Sequence, residues 1–130
     1  MIGQGNSYIA VVDDDESACR ALARLLRAAG FQPVTYLSEE ALLEDGNRPR
    51  FDCLVVDVQL AGTSGLNLSR SFSAVQEGTP VVFITAEDDP EVREEALAQG
   101  CLAYFTKWDS CQQILDAIHK AAKIASGNEE

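Results

Sequence analysis

The sequence predicts an α/β fold, built from repeated strand-helix units around one parallel sheet, and three observations predict it. Short runs rich in Val and Ile alternate with longer segments of helical periodicity. The runs Cys53-Leu54-Val55-Val56 and Val81 to Ile84 show no polar alternation, as expected of central strands covered on both faces. Glycine, proline and short polar residues stand where each unit must end and the next begin.

The first strand covers about Tyr8 to Val12 and runs into Asp13, Asp14 and Asp15. Ala18, Leu22, Leu25, Leu26 and Ala29 then recur at helical spacing until Gly30 stops the helix. The second strand lies near Pro33 to Tyr36, and Ser38 is placed to cap a short helix through Leu42 and Leu43 that ends around Gly46. The third strand ends at Asp57. Beyond a loop with Gly62 and Gly65, the residues Leu68, Phe72 and Val75 predict a third helix. Pro80 to Thr85 forms the fourth strand, and Asp89-Pro90 supplies a cap and first-turn proline for a helix closed by Gly100. Leu102 to Thr106 is the fifth strand, ending at Lys107. Asp109 with Gln112 reads as a capping box for a last helix whose buried stripe is Ile114, Ile118 and Ala121.

The 130 residues, 46% hydrophobic and 24% charged, suit one compact domain and exclude disorder and coiled coil. Residues 1–130 read as a single domain, with 1–7 and 126–130 frayed. Ten basic residues against 21 acidic ones leave a net charge of −11, which repels phosphate backbones and anionic lipid. Nucleic acid and membrane are therefore not expected as direct partners, whereas a metal ion or a basic protein surface is. No apolar run approaches the roughly 18 residues a bilayer requires. The opening MIGQGNS lacks the basic and apolar regions of a secretory signal, so a cytoplasmic location is expected. Cys19, Cys53, Cys101 and Cys111 form no CxxC pair and His119 is the single histidine, so neither disulfides nor a zinc site are expected.

In an open parallel sheet the carboxyl ends of the strands share one edge, where ligands bind. That rule gathers Asp13 and Asp14 after the first strand, Asp57 after the third, Thr85 after the fourth and Lys107 after the fifth. Three neighbouring carboxylates repel one another unless a cation sits among them. Mg²⁺ suits such a site, being a hard ion that takes one or two carboxylates and keeps waters to receive a phosphate oxygen; Mn²⁺ is the alternative. A carboxylate, a divalent metal, a lysine and a hydroxyl are the parts needed to move a phosphoryl group onto the carboxylate. Asp57, ending the most buried strand, is the expected nucleophile.

These residues carry a resemblance. The ordered motifs VVDDDES, LVVDVQLAGTSG, VVFITA and AYFTK resemble a response-regulator receiver domain, from about Tyr8 to the last helix. The segment FDCLVVDVQLAGTSGLNL is similar to the FixJ-like branch, whose members usually join a receiver to a helix-turn-helix output domain. The resemblance implies a flavodoxin-like (βα)5 doubly wound sheet, five parallel strands in order 2-1-3-4-5 with helices on both faces. It makes Asp57 the residue phosphorylated by a histidine kinase or histidine phosphotransfer protein, and Asp13 and Asp14 the acidic pair for Mg²⁺, with the Gln59 main-chain carbonyl as a further ligand. Thr85 becomes the switch hydroxyl, Lys107 the ion-pair partner of the phosphoryl group and Tyr104 the switch aromatic. Ala86, being small, leaves the phosphoryl group accessible. Movement of Thr85 towards the new charge opens space for Tyr104 and repacks the face formed by the helix after Pro90, the fifth strand and the last helix, which controls an output domain or target protein. Dimerisation on phosphorylation is implied by the FixJ-like branch.

Two departures from the family pattern stand out. Ala61 and Gly62 occupy the place of a proline four residues after the aspartate, which loosens the loop that holds the Gln59 carbonyl. Trp108 replaces the proline after the lysine, and because a non-proline cis bond costs about 3 kcal/mol, a trans bond is expected to aim Lys107 differently. Trp108 is expected to be partly exposed and to contact a partner.

Each residue also has a plainer reading. Asp15 suits an N-cap, Asp57 a strand-end turn, Lys107 a solvated charge and Tyr104 the core, while His119 falls on the exposed side of its helix. Arg20, Arg24 and Arg27 form a stripe on the first helix that suits a solvated face, or less often a kinase-docking one. Two other functions are open. Asp13-x-Asp15-x-Ser17 is similar to the nucleophile motif of haloacid-dehalogenase phosphatases, with Thr85 and Lys107 as later motifs, but those enzymes normally need a longer core. A phosphate-independent scaffold of receiver fold is the other, hinted at by the two missing prolines.

Overall fold

The computed structural model describes residues 7–59 and 78–126. In chain order these form β1 (Tyr8–Val12), α1 (Glu16–Ala28), β2 (Gln32–Tyr36), α2 (Glu39–Glu44), β3 (Cys53–Asp57), β4 (Val81–Thr85), α3 (Pro90–Ala98), β5 (Ala103–Thr106) and α4 (Cys111–Ser126). The strands make one parallel sheet in the order β2-β1-β3-β4-β5, as expected. The helix expected around Leu68, Phe72 and Val75, and the loop with Ala61, Gly62 and Gly65, lie outside the described residues.

Strand alternation splits the core into two layers. Ala10, Val12, Leu54, Val56 and Phe83 face one side and pack with Leu42 of α2 and Ala96 of α3. Ile9, Val11, Cys53, Val55, Val82 and Ile84 face the other and pack with Cys19 and Leu26 of α1 and Ile114 and Ile118 of α4. Every residue of β3 and β4 is buried, which is why neither strand shows a polar alternation. Fully burying one such Val, Ile or Phe side chain contributes about 1.5 to 3 kcal/mol.

The helix boundaries follow from local chemistry. The Asp15 carboxylate accepts from the Ser17 and Ala18 amides, Ser38 Oγ from the Ala41 amide, and Asp89 from the Glu91 amide one residue before Pro90. Gly30 and Gly100 sit at φ of 96° and 85° just past their helices, a backbone region that favours glycine. The capping box expected from Asp109 and Gln112 is not formed. Ser110 Oγ accepts from the Gln113 amide instead, and the Gln112 side chain donates to Asp116. Asp109 is engaged elsewhere, because its Oδ2 accepts from the Thr106 amide at 2.8 Å. His119 is half-buried rather than on an exposed face, and its ring lies against Phe31 at a centroid distance of 4.8 Å. All four cysteines are free thiols.

Candidate functional site

The site forms because three backbone hydrogen bonds carry the sheet ladder one residue past its strand ends. The Asp13 amide donates to the Tyr36 carbonyl, the Val58 amide to Ile84 and the Lys107 amide to Thr85. Residues at the carboxyl edge are thereby tied to the sheet by the same kind of backbone hydrogen bond that joins the strands. Ligand atoms of Asp13, Asp14 and Asp57 lie within 4.8 Å of one another, Asp13 and Asp57 being buried and Asp14 exposed.

Each buried carboxylate is oriented by an amide and faced by one cation. Asp13 Oδ1 accepts from the Asp15 amide and Asp57 Oδ1 from the Gln59 amide, both at 2.9 Å. Lys107 Nζ donates to Asp13 Oδ2 at 3.1 Å and stands 3.7 Å from Asp57 Oδ2. Burial, reinforced by the nearby Asp13 charge, holds the Asp57 carboxyl above the ordinary aspartate range, although the Gln59 amide and Lys107 oppose this. Desolvation would lower the Lys107 ammonium, but the hydrogen bond to Asp13 and the two carboxylate charges outweigh it and the net shift is upward. Three carboxylates against one ammonium leave a surplus of negative charge in a partly desolvated hollow. That is a donor set suited to a hard divalent cation, so the residues fit Mg²⁺.

The Lys107-Trp108 peptide is trans, as expected for a non-proline bond, and the lysine reaches both carboxylates from it. Replacing proline by tryptophan adds an N–H donor, and the Trp108 amide donates to Thr106 Oγ1 at 3.3 Å. The Asp109 carboxylate closes the same turn on the Thr106 amide, and the Asp109 amide donates to the Thr106 carbonyl. The turn leaves Trp108 81% exposed, more than the partial exposure expected.

Thr85 is 1% exposed, and its hydroxyl is engaged at the start of the next loop. Oγ1 donates to the Glu87 carbonyl at 2.9 Å and accepts from the Glu87 amide at 3.1 Å. Tyr104 stands beside Phe83 in the sheet and is buried in the layer that also holds Ala96. Asp15 belongs to the α1 cap rather than to the acidic cluster. The phosphatase-like pairing of Asp13 with Asp15 thus has no geometric support.

A groove of about 540 Å³ is lined by Ala18, Leu22 and Leu25 of α1 and by Ile114 of α4, together with Asp57 and Lys107 of the site. Sequence reasoning missed three residues around the site. Glu87 receives both Thr85 and, through its carboxylate at 3.4 Å, the Gln59 side-chain amide. Arg93 lies over the Tyr104 ring at 4.7 Å and is held by Asp88. A signal for Arg93 was present, since it neighbours Val92 and precedes Ala96 by three positions, and so interrupts the inward stripe of its helix.

The family model for the response regulator receiver domain matches residues 9–119. The chain belongs to the response regulator receiver domain family. It is 33% identical over 119 residues to response regulator protein TodT of Pseudomonas putida, covering 92% of this chain and 52% of that protein. It is 31% identical over 117 residues to nodulation protein W of Bradyrhizobium diazoefficiens, with 90% and 52% covered. The chain therefore spans about half the length of these curated relatives. A receiver domain from Methanospirillum hungatei superposes with a TM-score of 0.84 at 18% identity, covering 95% of this chain and 99% of that one, which shows the shared fold. The receiver is a signalling domain of two-component systems, and neither the phosphatase nor the scaffold reading is favoured. No helix among the described residues is long and apolar enough to cross a membrane.

Proposed function

We propose that Asp57 accepts a phosphoryl group from a histidine kinase or histidine phosphotransfer protein, and that this drives an output partner. The observation that carries the reading is the placement of Asp57 Oδ2 beside Lys107, with Oδ1 fixed by the Gln59 amide. One carboxylate oxygen is oriented and the other is left to attack. In the transfer Oδ2 forms the new bond to phosphorus, the donor's P–N bond breaks, and the imidazole leaves with the bonding electron pair. Lys107 neutralises charge on the phosphoryl oxygens, and positioning carries most of the rate.

Asp13, Asp14 and Asp57 are the side chains that hold Mg²⁺ in this reading, with the Gln59 main-chain carbonyl; Mn²⁺ suits the same oxygens. The bound ion supplies neutralisation of the phosphate and carboxylate charges. The domain catalyses only its own phosphorylation and dephosphorylation. Thr85 exchanges its contacts to Glu87 for the phosphoryl group, and Tyr104 relays the change to the α3, β5 and α4 surface.

The groove between α1 and α4 suits the docking of a kinase or phosphotransfer helix. Asp57 and Arg24 both line it, and Arg24 supplies a basic group in a chain of net charge −11. Trp108, exposed next to Lys107 in the chain, is a second partner contact. The surroundings expected for this exchange are cytoplasmic, and a phosphorylation-dependent homodimer is one form the output takes.

Intact mass measured after incubation with Mg²⁺ and acetyl phosphate, beside an Asp57→Asn variant, tests the reading. One added phosphoryl group in the wild type, absent from the variant and in excess chelator, is expected. Labelling that persists in Asp57→Asn would overturn the assignment.

A further inference from the structure

Tyr104 is buried, but its hydroxyl has no hydrogen-bond partner among the described residues. A buried hydroxyl without an acceptor is penalised, so the inward position is not explained by hydrogen bonding. Apolar packing with Phe83 and Ala96 favours the buried ring, and a polar contact adds to it. The Arg93 guanidinium lies 4.7 Å from its centroid, within range of a cation–π attraction. The guanidinium is itself fixed in a two-pronged contact, with Nε and Nη2 donating to Asp88 Oδ1 and Oδ2, both at 3.2 Å. Asp88 immediately follows Glu87, the residue that receives the Thr85 hydroxyl. Thr85 therefore keeps its hydroxyl on Glu87 while Tyr104 is already inside.

We propose that Arg93, anchored by Asp88, is a positioning residue that clamps Tyr104 inside the protein before any phosphoryl group arrives. The inference deepens the switch role proposed for Tyr104 and rests on that reading only for its consequence, not for its geometry. Two contacts converge on the guanidinium, one to the aromatic face and one to the carboxylate, and only a planar cation serves both well. With the ring pre-set, the α3 and β5 surface takes its inward form in the unphosphorylated chain. Phosphorylation then shifts Thr85 and the Glu87 loop against a ring that is already inside, and the ring relays that change to the surface. Removal of the clamp returns the ring to a balance between the buried site, with its unpaired hydroxyl, and water.

The test uses 3-fluorotyrosine incorporated at the three tyrosines, with the Tyr104 signal assigned by Tyr104→Phe, and no phosphodonor present. Fluorine NMR is recorded with and without a neutral gadolinium chelate. Wild type is expected to give one Tyr104 resonance shielded from the chelate. Arg93→Ala should show a shifted or doubled resonance with several-fold stronger broadening by the chelate, and Asp88→Asn a smaller change in the same direction. Arg93→Lys should restore shielding only in part. A Tyr104 resonance in Arg93→Ala that stays single and shielded overturns the clamp, as does an exposed resonance in the wild type. Arg93 is at the surface, and unchanged Tyr8 and Tyr36 signals report an intact fold. Because no phosphoryl group is involved, a failure of Asp57 to accept phosphate is read separately by mass.

Discussion

Lys107 and Asp13, 94 positions apart in the chain, meet at 3.1 Å across the carboxyl edge of the sheet. The contact joins the end of the first strand to the end of the last, and it places the site's single ammonium between two buried carboxylates. Removal of the charge in Lys107→Ala leaves the carboxylates to attract cations unopposed. Mg²⁺ is then expected to bind roughly tenfold more tightly, followed by the emission of Trp108, the single tryptophan. Phosphorylation by acetyl phosphate should fall by about 10- to 100-fold, because the developing phosphoryl charge loses its partner. Weaker Mg²⁺ binding in the variant would contradict this electrostatic account.

The raised Asp57 carboxyl has a consequence for stability. A group whose folded value lies above its unfolded one favours the fold fully below the unfolded value, and that favour is lost as pH rises through the folded value. At neutral pH, in chelator, the ionised Asp57 therefore burdens the fold. Asp57→Asn is expected to be more stable than wild type at pH 7 by about 1 kcal/mol, with the gap closing as pH falls towards the carboxylate range. Urea unfolding of both proteins across that range measures it; a gap that stays constant with pH would argue against ionisation as its cause.

Binding of Mg²⁺ to the folded site adds stability by mass action. At ten times its dissociation constant the gain is about 1.4 kcal/mol, seen as a higher thermal midpoint that chelator reverses. Asp14→Ala should lose most of this gain without loss of basal stability, since Asp14 is exposed. A full Mg²⁺ response in Asp14→Ala removes that residue from the metal set.

Asp109 holds the turn that aims Lys107. Its carboxylate accepts from the Thr106 amide at 2.8 Å, so Asp109→Ala leaves a strand-end donor without that partner and should cost about 1 to 2 kcal/mol. Slower phosphorylation is also expected, whereas Asp15→Ala, which removes only the α1 cap, should cost about 1 kcal/mol and leave labelling of Asp57 intact. Parallel denaturation and mass-labelling time courses separate the two roles.

Trp108→Ala should leave the unfolding free energy within about 0.5 kcal/mol of wild type, because the ring is 81% exposed and packs on little. Affinity for the kinase or output partner is expected to drop severalfold in a binding titration. Equal affinity would leave the exposed ring without the assigned role.

The strand and helix pattern was legible because burial on both sheet faces removes polar residues from β3 and β4, and because Asp15, Ser38 and Asp89 cap helices through contacts two or three residues away. The site was legible for a related reason. A parallel sheet brings every strand end to one edge, so Asp13, Asp14, Asp57, Thr85 and Lys107 converge once the strands are read.

Contacts between elements were not legible in the same way. Asp109 looked like a helix cap, but turned back to Thr106, since two short-range acceptor geometries compete for one carboxylate and the turn after β5 decides between them. His119 packs on Phe31, and Arg93 lies over Tyr104, each from a different element. The sequence by itself determined which residues form each strand, where the helices begin, and which charges share the carboxyl edge, because these depend on local hydrogen bonds and on the period of burial. Only the tertiary structure decided that Lys107 reaches Asp13 past a trans Trp108 bond, that Thr85 rests on Glu87, and that Tyr104 is inside beneath Arg93. The first and last of these depend on contacts of 3.1 and 4.7 Å between residues of separate parts of the chain, set by how the elements settle on the sheet, and the Thr85 contact on how the loop after β4 turns.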